Sequence, residues 1–429
     1  MTIYAISTPA GRSAVAVLRV SGEKCPYILQ SLIGEVPPPR YAKLARIKNP
    51  ATGDTVDDAL VLYFQAPHSF TGEDIIEFHL HGSQAVIKEM LEVLSGFEGV
   101  RPAEAGEFTK RAFYNNKFDL VEVEGIADLI NAQTKHQKKQ ALRQLEGETS
   151  RIYESWREDM VRILAHLEAY IDFPEEDIPT DLLDDMQDNI TALKTSIEAT
   201  LSDNKGEVIR EGIYVAIIGS PNVGKSSLLN YLAGSDVAIV SETAGTTRDV
   251  IEVNMDLDGC LVTIADTAGL RESTDAIESE GIKRARKKAN HADIKIAMFD
   301  ISQEMDSHTL EMIDDDTIVV FNKADVSTVQ KADGITVSIK QNQNVEAVIQ
   351  AVKDKVAGYT DSNHLITQER HRHHLSECAK YLGTVEMSMP LELLCEELRL
   401  AARSMGKITG RIDVEELLDK IFSSFCIGK

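Results

Sequence analysis

Between Gly219 and Ser226 the chain reads GSPNVGKS, which fits G-x-x-x-x-G-K-[ST]. These residue types at this spacing handle phosphate. Backbone N–H groups of the glycine-rich loop turn toward phosphate oxygens, Lys225 reaches the outer phosphates, and the Ser226 hydroxyl is placed to ligate Mg²⁺. A glycine turn followed by an incidental Lys-Ser would need no special surroundings. Here the β-branched run Ile213 to Ile218 precedes the loop and an apolar helical pattern follows it, the strand–loop–helix order that a phosphate cradle requires. The nucleotide contacts expected from this stretch are Asn222, Val223, Gly224, Lys225, Ser226 and Ser227.

Three further motifs follow in order. Gly245-Thr246-Thr247-Arg248-Asp249 offers hydroxyls to Mg²⁺ and a γ-phosphate, with Thr247 the second expected Mg²⁺ ligand. Asp266-Thr267-Ala268-Gly269 ends an apolar run, where a carboxylate holds a metal-bound water and a glycine N–H faces the γ-phosphate. Asn322-Lys323-Ala324-Asp325 ends another. The Asp325 carboxylate can accept from guanine N1–H and the 2-amino group, donors that adenine lacks, so the expected nucleotide is GTP. Ser338-Ile339-Lys340 stands where many GTPases contact the base with Ser-Ala-Lys. Leu270 occupies the position where many GTPases have a water-orienting glutamine, so another group must orient the nucleophile. The carboxylates nearby are Glu272, Asp275, Glu278 and Glu280, each read by itself as a solvated loop charge rather than a catalyst.

These motifs, with TPAGRSAVAVLRVSG near the start, AGEFTKRAFYNNKFDL and the terminal FCIGK, are similar to the bacterial and organellar tRNA-modification GTPase family called MnmE or TrmE, over nearly the whole chain. The resemblance implies K⁺-stimulated hydrolysis. Asn222 and the loop Ser241–Thr247 (Ser241, Glu242, Thr243, Ala244, Gly245, Thr246, Thr247) would hold K⁺, with Asn222, Ser241, Thr243 and Thr246 as ligands, in place of an arginine finger. The family's catalytic carboxylate aligns with Glu278, and Thr246 joins it in the catalytic set. It also implies a 5-formyl- or methylene-tetrahydrofolate site on Arg19, Glu77, Lys117 and Lys429, with Cys426 either a nucleophile or a small buried residue. The implied partners are a second copy in a homodimer, the FAD-dependent MnmG (GidA) in a heterotetramer, and tRNA. The implied product is a wobble uridine with an aminomethyl or carboxymethylaminomethyl group at C5. No flavin or NAD fingerprint occurs in this chain, in keeping with redox chemistry residing in the partner. Two other readings compete: a GTPase switch for ribosome or membrane assembly, and a folate-dependent one-carbon transferase with regulatory GTP.

The elements that must hold these residues divide the chain. Residues 1–119 alternate like an α+β domain, the tetrahydrofolate-binding and dimerising part by resemblance. Strands are expected at Ile3–Ser7, Ala14–Val20, Ala59–Phe64 and Ile75–His79, and a helix at Ser83–Leu94. Pro9–Arg12, Thr71–Asp74 and Ala105–Arg111 read as turns or solvated faces. Residues 120–210 are helical, with Trp156, Met160, Ile163, Leu164, Leu167 and Ile171 as one core stripe. A Ras-like P-loop α/β G domain spans 211–357, and 358–429 is helical again, ending in CIGK. The fold class expected is therefore a multidomain α/β and α chain, with the G domain inserted into a discontinuous helical bundle.

Composition bounds the rest. The 429 residues carry a net charge of −24, so contact with RNA needs local basic stretches, the candidates being Lys110-Arg111, Lys135–Lys139, Lys283–Lys288 and His371–His374. No run of about 18 apolar residues occurs, and five scattered cysteines lack metal-like spacing. Together with the absence of a leader pattern, this makes a cytoplasmic location without a membrane span the expectation.

Overall fold

Period-two alternation of apolar residues gives the N-terminal part its strands: Thr2–Ile6 (β1), Val15–Ser21 (β2), Lys43–Lys48 (β3), Thr55–Phe64 (β4), Ile75–His81 (β5) and Val100–Pro102 (β6). In the computed structural model they form one sheet in the order β3-β4-β5-β2-β1-β6, antiparallel except for β1 with β6. Helices Cys25–Ile33 and Gln84–Ser95 close one face, where Ile28, Leu29, Met90 and Leu94 join Leu18, Ile76 and Phe78 in a single apolar cluster. The structure describes residues 1–172, 180–239, 252–266, 291–326, 333–359, 364–386, 388–412, 421–422, 425 and 428.

One expectation is corrected here. Ala105–Arg111 is not a solvated turn: Glu107–Tyr114 is a helix with Phe108 and Ala112 fully buried. Its charges are engaged rather than hydrated. Glu107 accepts from Arg101 at 2.7 and 2.8 Å and from Arg111 at 3.0 Å, and Arg111 also reaches Glu73 at 2.8 Å.

The second sheet is built from Ile213–Ile218 (β7), Glu252–Leu257 (β8), Cys260–Asp266 (β9), Ile294–Asp300 (β10), Thr317–Asn322 (β11) and Ile335–Thr336 (β12), in the order β12-β11-β10-β7-β9-β8. All pairs are parallel except β8 with β9. Strands buried on both faces read as near-continuous apolar runs. β10 is buried at all seven positions and β7 at five of six. From β7 the chain moves outward on one side to β8 and β9, then crosses to β10 on the other. The carboxyl end of β7 is therefore a switch point, where connecting loops diverge and leave a crevice.

The helical segments on either side of this sheet in sequence pack together: Thr180–Leu201 lies along Glu369–Thr384. In Glu148–Asp172 the stripe of Met160, Ile163 and Leu167 is buried, and it begins one turn earlier than expected, with the fully buried Tyr153. Leu394, Leu398, Ala401 and Met405 make the corresponding stripe of Leu391–Thr409. By compactness the chain divides into two units, one of residues 1–127, 144–164 and 402–429, the other of 128–143 and 165–401. Among the described residues no helix is long and apolar enough to cross a membrane.

Candidate nucleotide site and a second charged cluster

The loop after β7 has a shape that its residues impose. Gly219 has φ +149, and a Cβ there would lie 2.4 Å from the Met298 carbonyl oxygen of β10, so only glycine lets the loop leave the sheet this closely. Asn222 sits at φ +64, a left-handed position that asparagine tolerates. The helix Lys225–Ala233 then starts at once, with Leu228, Leu229 and Leu232 buried against the sheet. Within the loop the Lys225 ammonium donates to the Gly219 and Ser220 carbonyls at 2.7 and 2.8 Å. Only 5% of Lys225 is exposed. Burial pushes its pKa below the ordinary lysine value, against the pull of the Asp266 and Asp306 carboxylates.

Asp266, at the end of β9, accepts from the Ser226 hydroxyl at 2.7 Å. A hydroxyl from the first helical turn after β7 and a carboxylate oxygen at the end of β9 are the hard oxygen donors that Mg²⁺ takes, so this pair fits that ion. At the end of β11, Asn322 is 5% exposed and ties two loops together. Its amide donates to the Val223 carbonyl at 2.8 Å, and its carbonyl accepts from the Ile339 N–H at 3.2 Å. Ile339 thus serves through its backbone N–H, a contact that isoleucine makes as well as alanine. Ser338 donates to Asp325 Oδ1 at 2.7 Å, holding that carboxyl below its usual range and fixing one of its two oxygens.

Two residues of this region are not singled out by the motifs. Asp300, at the end of β10, is buried and accepts from Lys323 Nζ at 2.7 Å, which anchors Lys323 at its left-handed φ of +67. Asp306 adds a second carboxylate near Lys225. Asp300 had a legible signal, an acid closing an apolar run just as Asp266 does, whereas Asp306 had none. Asn222, Val223, Gly224, Lys225, Ser226, Ser227, Asp266, Asn322, Lys323, Ala324 and Asp325 thus lie on or after the carboxyl ends of β7, β9 and β11. The expected residues Ser241, Glu242, Thr243, Ala244, Gly245, Thr246, Thr247, Thr267, Ala268, Gly269, Glu278, Cys426 and Lys429 lie outside the described residues.

A second cluster lies in the first unit. The register of β2 on β5 sets Arg19 opposite Glu77, and the two pair at 2.7 Å. The Arg19 guanidinium is 5.4 Å from the Phe70 ring centre and 5.8 Å from that of Phe108. Phe70 in turn meets Phe118 at 5.6 Å, beside Lys117, whose ammonium donates to the Pro67 carbonyl at 2.8 Å. His79 Nε2 is buried here without a hydrogen-bond partner. Lys117 also lines a cavity of about 740 Å³ together with Phe113, Phe118, Asp119, Arg157 and Arg411. In His81-Gly82-Ser83, Ser83 caps the helix Gln84–Ser95, accepting from the Val86 N–H at 3.2 Å. The penultimate residue Gly428 accepts from the Ser7 hydroxyl at 3.0 Å, just past the end of β1.

A parallel sheet with a phosphate-type loop at its switch point, a Ser–Asp oxygen pair and a braced Asn-Lys-x-Asp segment defines a P-loop nucleotide-binding α/β domain. Comparison with known families agrees and is more specific. Residues 2–117 match the family model described as GTP-binding protein TrmE N-terminus, and residues 120–426 match that of the MnmE helical domain. A protein of Parvibaculum lavamentivorans named tRNA modification GTPase MnmE is 48% identical over 436 residues, covering 100% of both chains. Proteins of the same name from Paramagnetospirillum magneticum and Rickettsia bellii are also 48% identical, over 442 and 445 residues, covering 100% of this chain and 99% and 100% of theirs. The chain belongs to the MnmE (TrmE) family.

Proposed function

We propose that this chain is a GTP hydrolase that works in the modification of tRNA. One observation carries the reading: Lys225, Ser226, Asp266 and the Asn322–Asp325 segment share one sheet edge, in a chain 48% identical along its whole length to relatives named tRNA modification GTPase. Lys225 exchanges its two loop carbonyls for phosphate oxygens, and Ser226 and Asp266 supply oxygens to Mg²⁺ directly or through water. When bound, that ion neutralises charge developing on the phosphates. Asp325, oriented by Ser338, accepts from the two guanine donors.

Asn222 and the Ser241–Thr247 loop would hold K⁺, which would supply further positive charge when bound. Glu278 orients the attacking water, since Leu270 cannot. The protein acts as a homodimer with the FAD-dependent MnmG, adding an aminomethyl or carboxymethylaminomethyl group at C5 of a wobble uridine. The carbon comes from 5-formyl- or methylene-tetrahydrofolate. In support, the Arg19–Glu77 pair stands beside Phe70, Phe70 meets Phe118 next to Lys117, and Lys117 lines a cavity of the size small ligands occupy, though Arg19 and Glu77 do not line it.

The test is GTP turnover in KCl against NaCl at matched ionic strength, with Glu278→Ala as control. Strong stimulation by K⁺ is expected, with a loss of about 100-fold or more in the variant. Equal rates in the two salts would overturn the potassium loop and leave the hydrolase standing. No turnover of GTP in either salt would overturn the hydrolase.

A further inference from the structure

We propose that the helix Lys135–Leu145 is the surface through which this chain grips the phosphodiester backbone of its RNA substrate; the inference rests on the tRNA reading above. A chain of net charge −24 repels a polyanion on average, so an RNA contact must be a local reversal of that field. This helix, KHQKKQALRQL, is such a reversal: four basic residues and no carboxylate in eleven positions.

Lys135, Lys138 and Lys139 are exposed and fall within its first five residues. Three ammonium groups there repel one another and oppose the helix dipole, a local cost to the fold. Among the described residues, neither Lys135 nor Lys138 has an ion pair to offset it. Neither carboxylate of the neighbouring turn pairs with Lys135 or Lys138. The His136 N–H donates to the Gly259 carbonyl at 3.0 Å, which seats the start of the helix on the turn between β8 and β9. In that turn Asp256 accepts from the Gly259 N–H at 2.7 Å, and Asp258 pairs with Lys353 at 2.8 Å. Lys135 and Lys138 keep their charge available.

The other basic stretches among the described residues do not. Arg111 is taken by Glu73, Glu107 and the Met1 carbonyl. His371 is fully buried. Burial pushes the half-buried His374 imidazole toward its neutral form, and His373 stands 3.7 Å from Glu377. Lys283–Lys288 lies outside the described residues.

The experiment measures binding of an unmodified tRNA transcript to the full-length chain by fluorescence anisotropy between 50 and 200 mM KCl. Lys135→Glu/Lys138→Glu is expected to bind at least about tenfold more weakly and to flatten the dependence of log K on log salt by about 1 to 2. Lys135→Arg/Lys138→Arg should bind like the wild type, and GTP turnover of both variants should be unchanged, which guards against misfolding. Should the wild type bind tRNA and the glutamate variant bind it equally, with the same salt slope, this surface is wrong and the RNA reading survives. Should the wild type bind no tRNA at any salt, the RNA reading fails and the surface with it.

Discussion

At the scale of single residues, base selection rests on Asp325. Its carboxylate has one oxygen held by the Ser338 hydroxyl at 2.7 Å, so the side chain is set before any base arrives. Guanine offers two donors to that group, whereas the amide of Asp325→Asn has one acceptor and one donor and meets the 2-amino group with like polarity. GTP affinity should fall about 100-fold or more. Xanthosine triphosphate, with a carbonyl where guanine has the amino group, should recover part of the loss. Competition of unlabelled GTP and XTP against a fluorescent nucleotide measures both. Unchanged GTP affinity would remove Asp325 from the base site. Ser338→Ala should show a smaller effect in the same direction, since it frees the carboxylate without changing its chemistry.

At the scale of elements, an ion-paired cluster fastens the helix Glu107–Tyr114 to the first sheet. Burial alone would raise the Glu107 pKa, but the hydrogen bonds from Arg101, the Glu104 N–H and Arg111 outweigh it, and the carboxyl titrates below its ordinary value. A depressed folded-state pKa means that the stabilisation is fully present above the ordinary carboxylate range, near 4.3, and is lost as the pH falls through the lower folded value. Glu107→Gln should therefore cost about 1.5–3 kcal/mol at pH 7, and the wild type should converge on it as the pH drops below that range. Urea unfolding of both proteins from pH 7 down to 3 tests this, and a gap that stays constant with pH would exclude it. The same helix marks the limit of what the sequence discloses. Glu107, Arg111 and Arg101 look like solvent-facing charges because their partners come from different segments, and local pattern carries no record of such pairings. Strands β3 and β6 were hidden for related reasons, the first a charged edge strand, the second three residues ending in proline. Strands β7, β9 and β11 were legible because burial on both faces writes itself as an apolar run, and the motif residues sit where those runs stop. The brace from Asn322 to the Ile339 backbone was not, since a main-chain N–H leaves no mark on residue identity.

At the scale of the molecule, every described residue of the nucleotide site belongs to the unit of residues 128–143 and 165–401, while Arg19, Glu77 and Lys117 belong to the other. A ligand that binds only the folded form stabilises what it touches, by about 2.7 kcal/mol at a hundredfold excess over Kd. GDP with Mg²⁺ should therefore slow amide exchange in β7, β9 and β11 and in the helix Lys225–Ala233 far more than in β2 and β5. A reduced folate should do the reverse. Hydrogen-exchange mass spectrometry on the full-length chain reads both arms at once. If GDP protected the two sheets equally, the units would be one cooperative block, and nucleotide and folate binding would have to reinforce each other through shared stability. If each ligand protects only its own sheet, any link between GTP turnover and folate chemistry must instead come from a change of conformation. Four helices, Leu120–Asn131, Lys135–Leu145, Glu148–Asp172 and Leu391–Thr409, run through the points where the chain passes from one unit to the other, at residues 127–128, 143–144, 164–165 and 401–402. They are the continuous elements on which such a change would have to act.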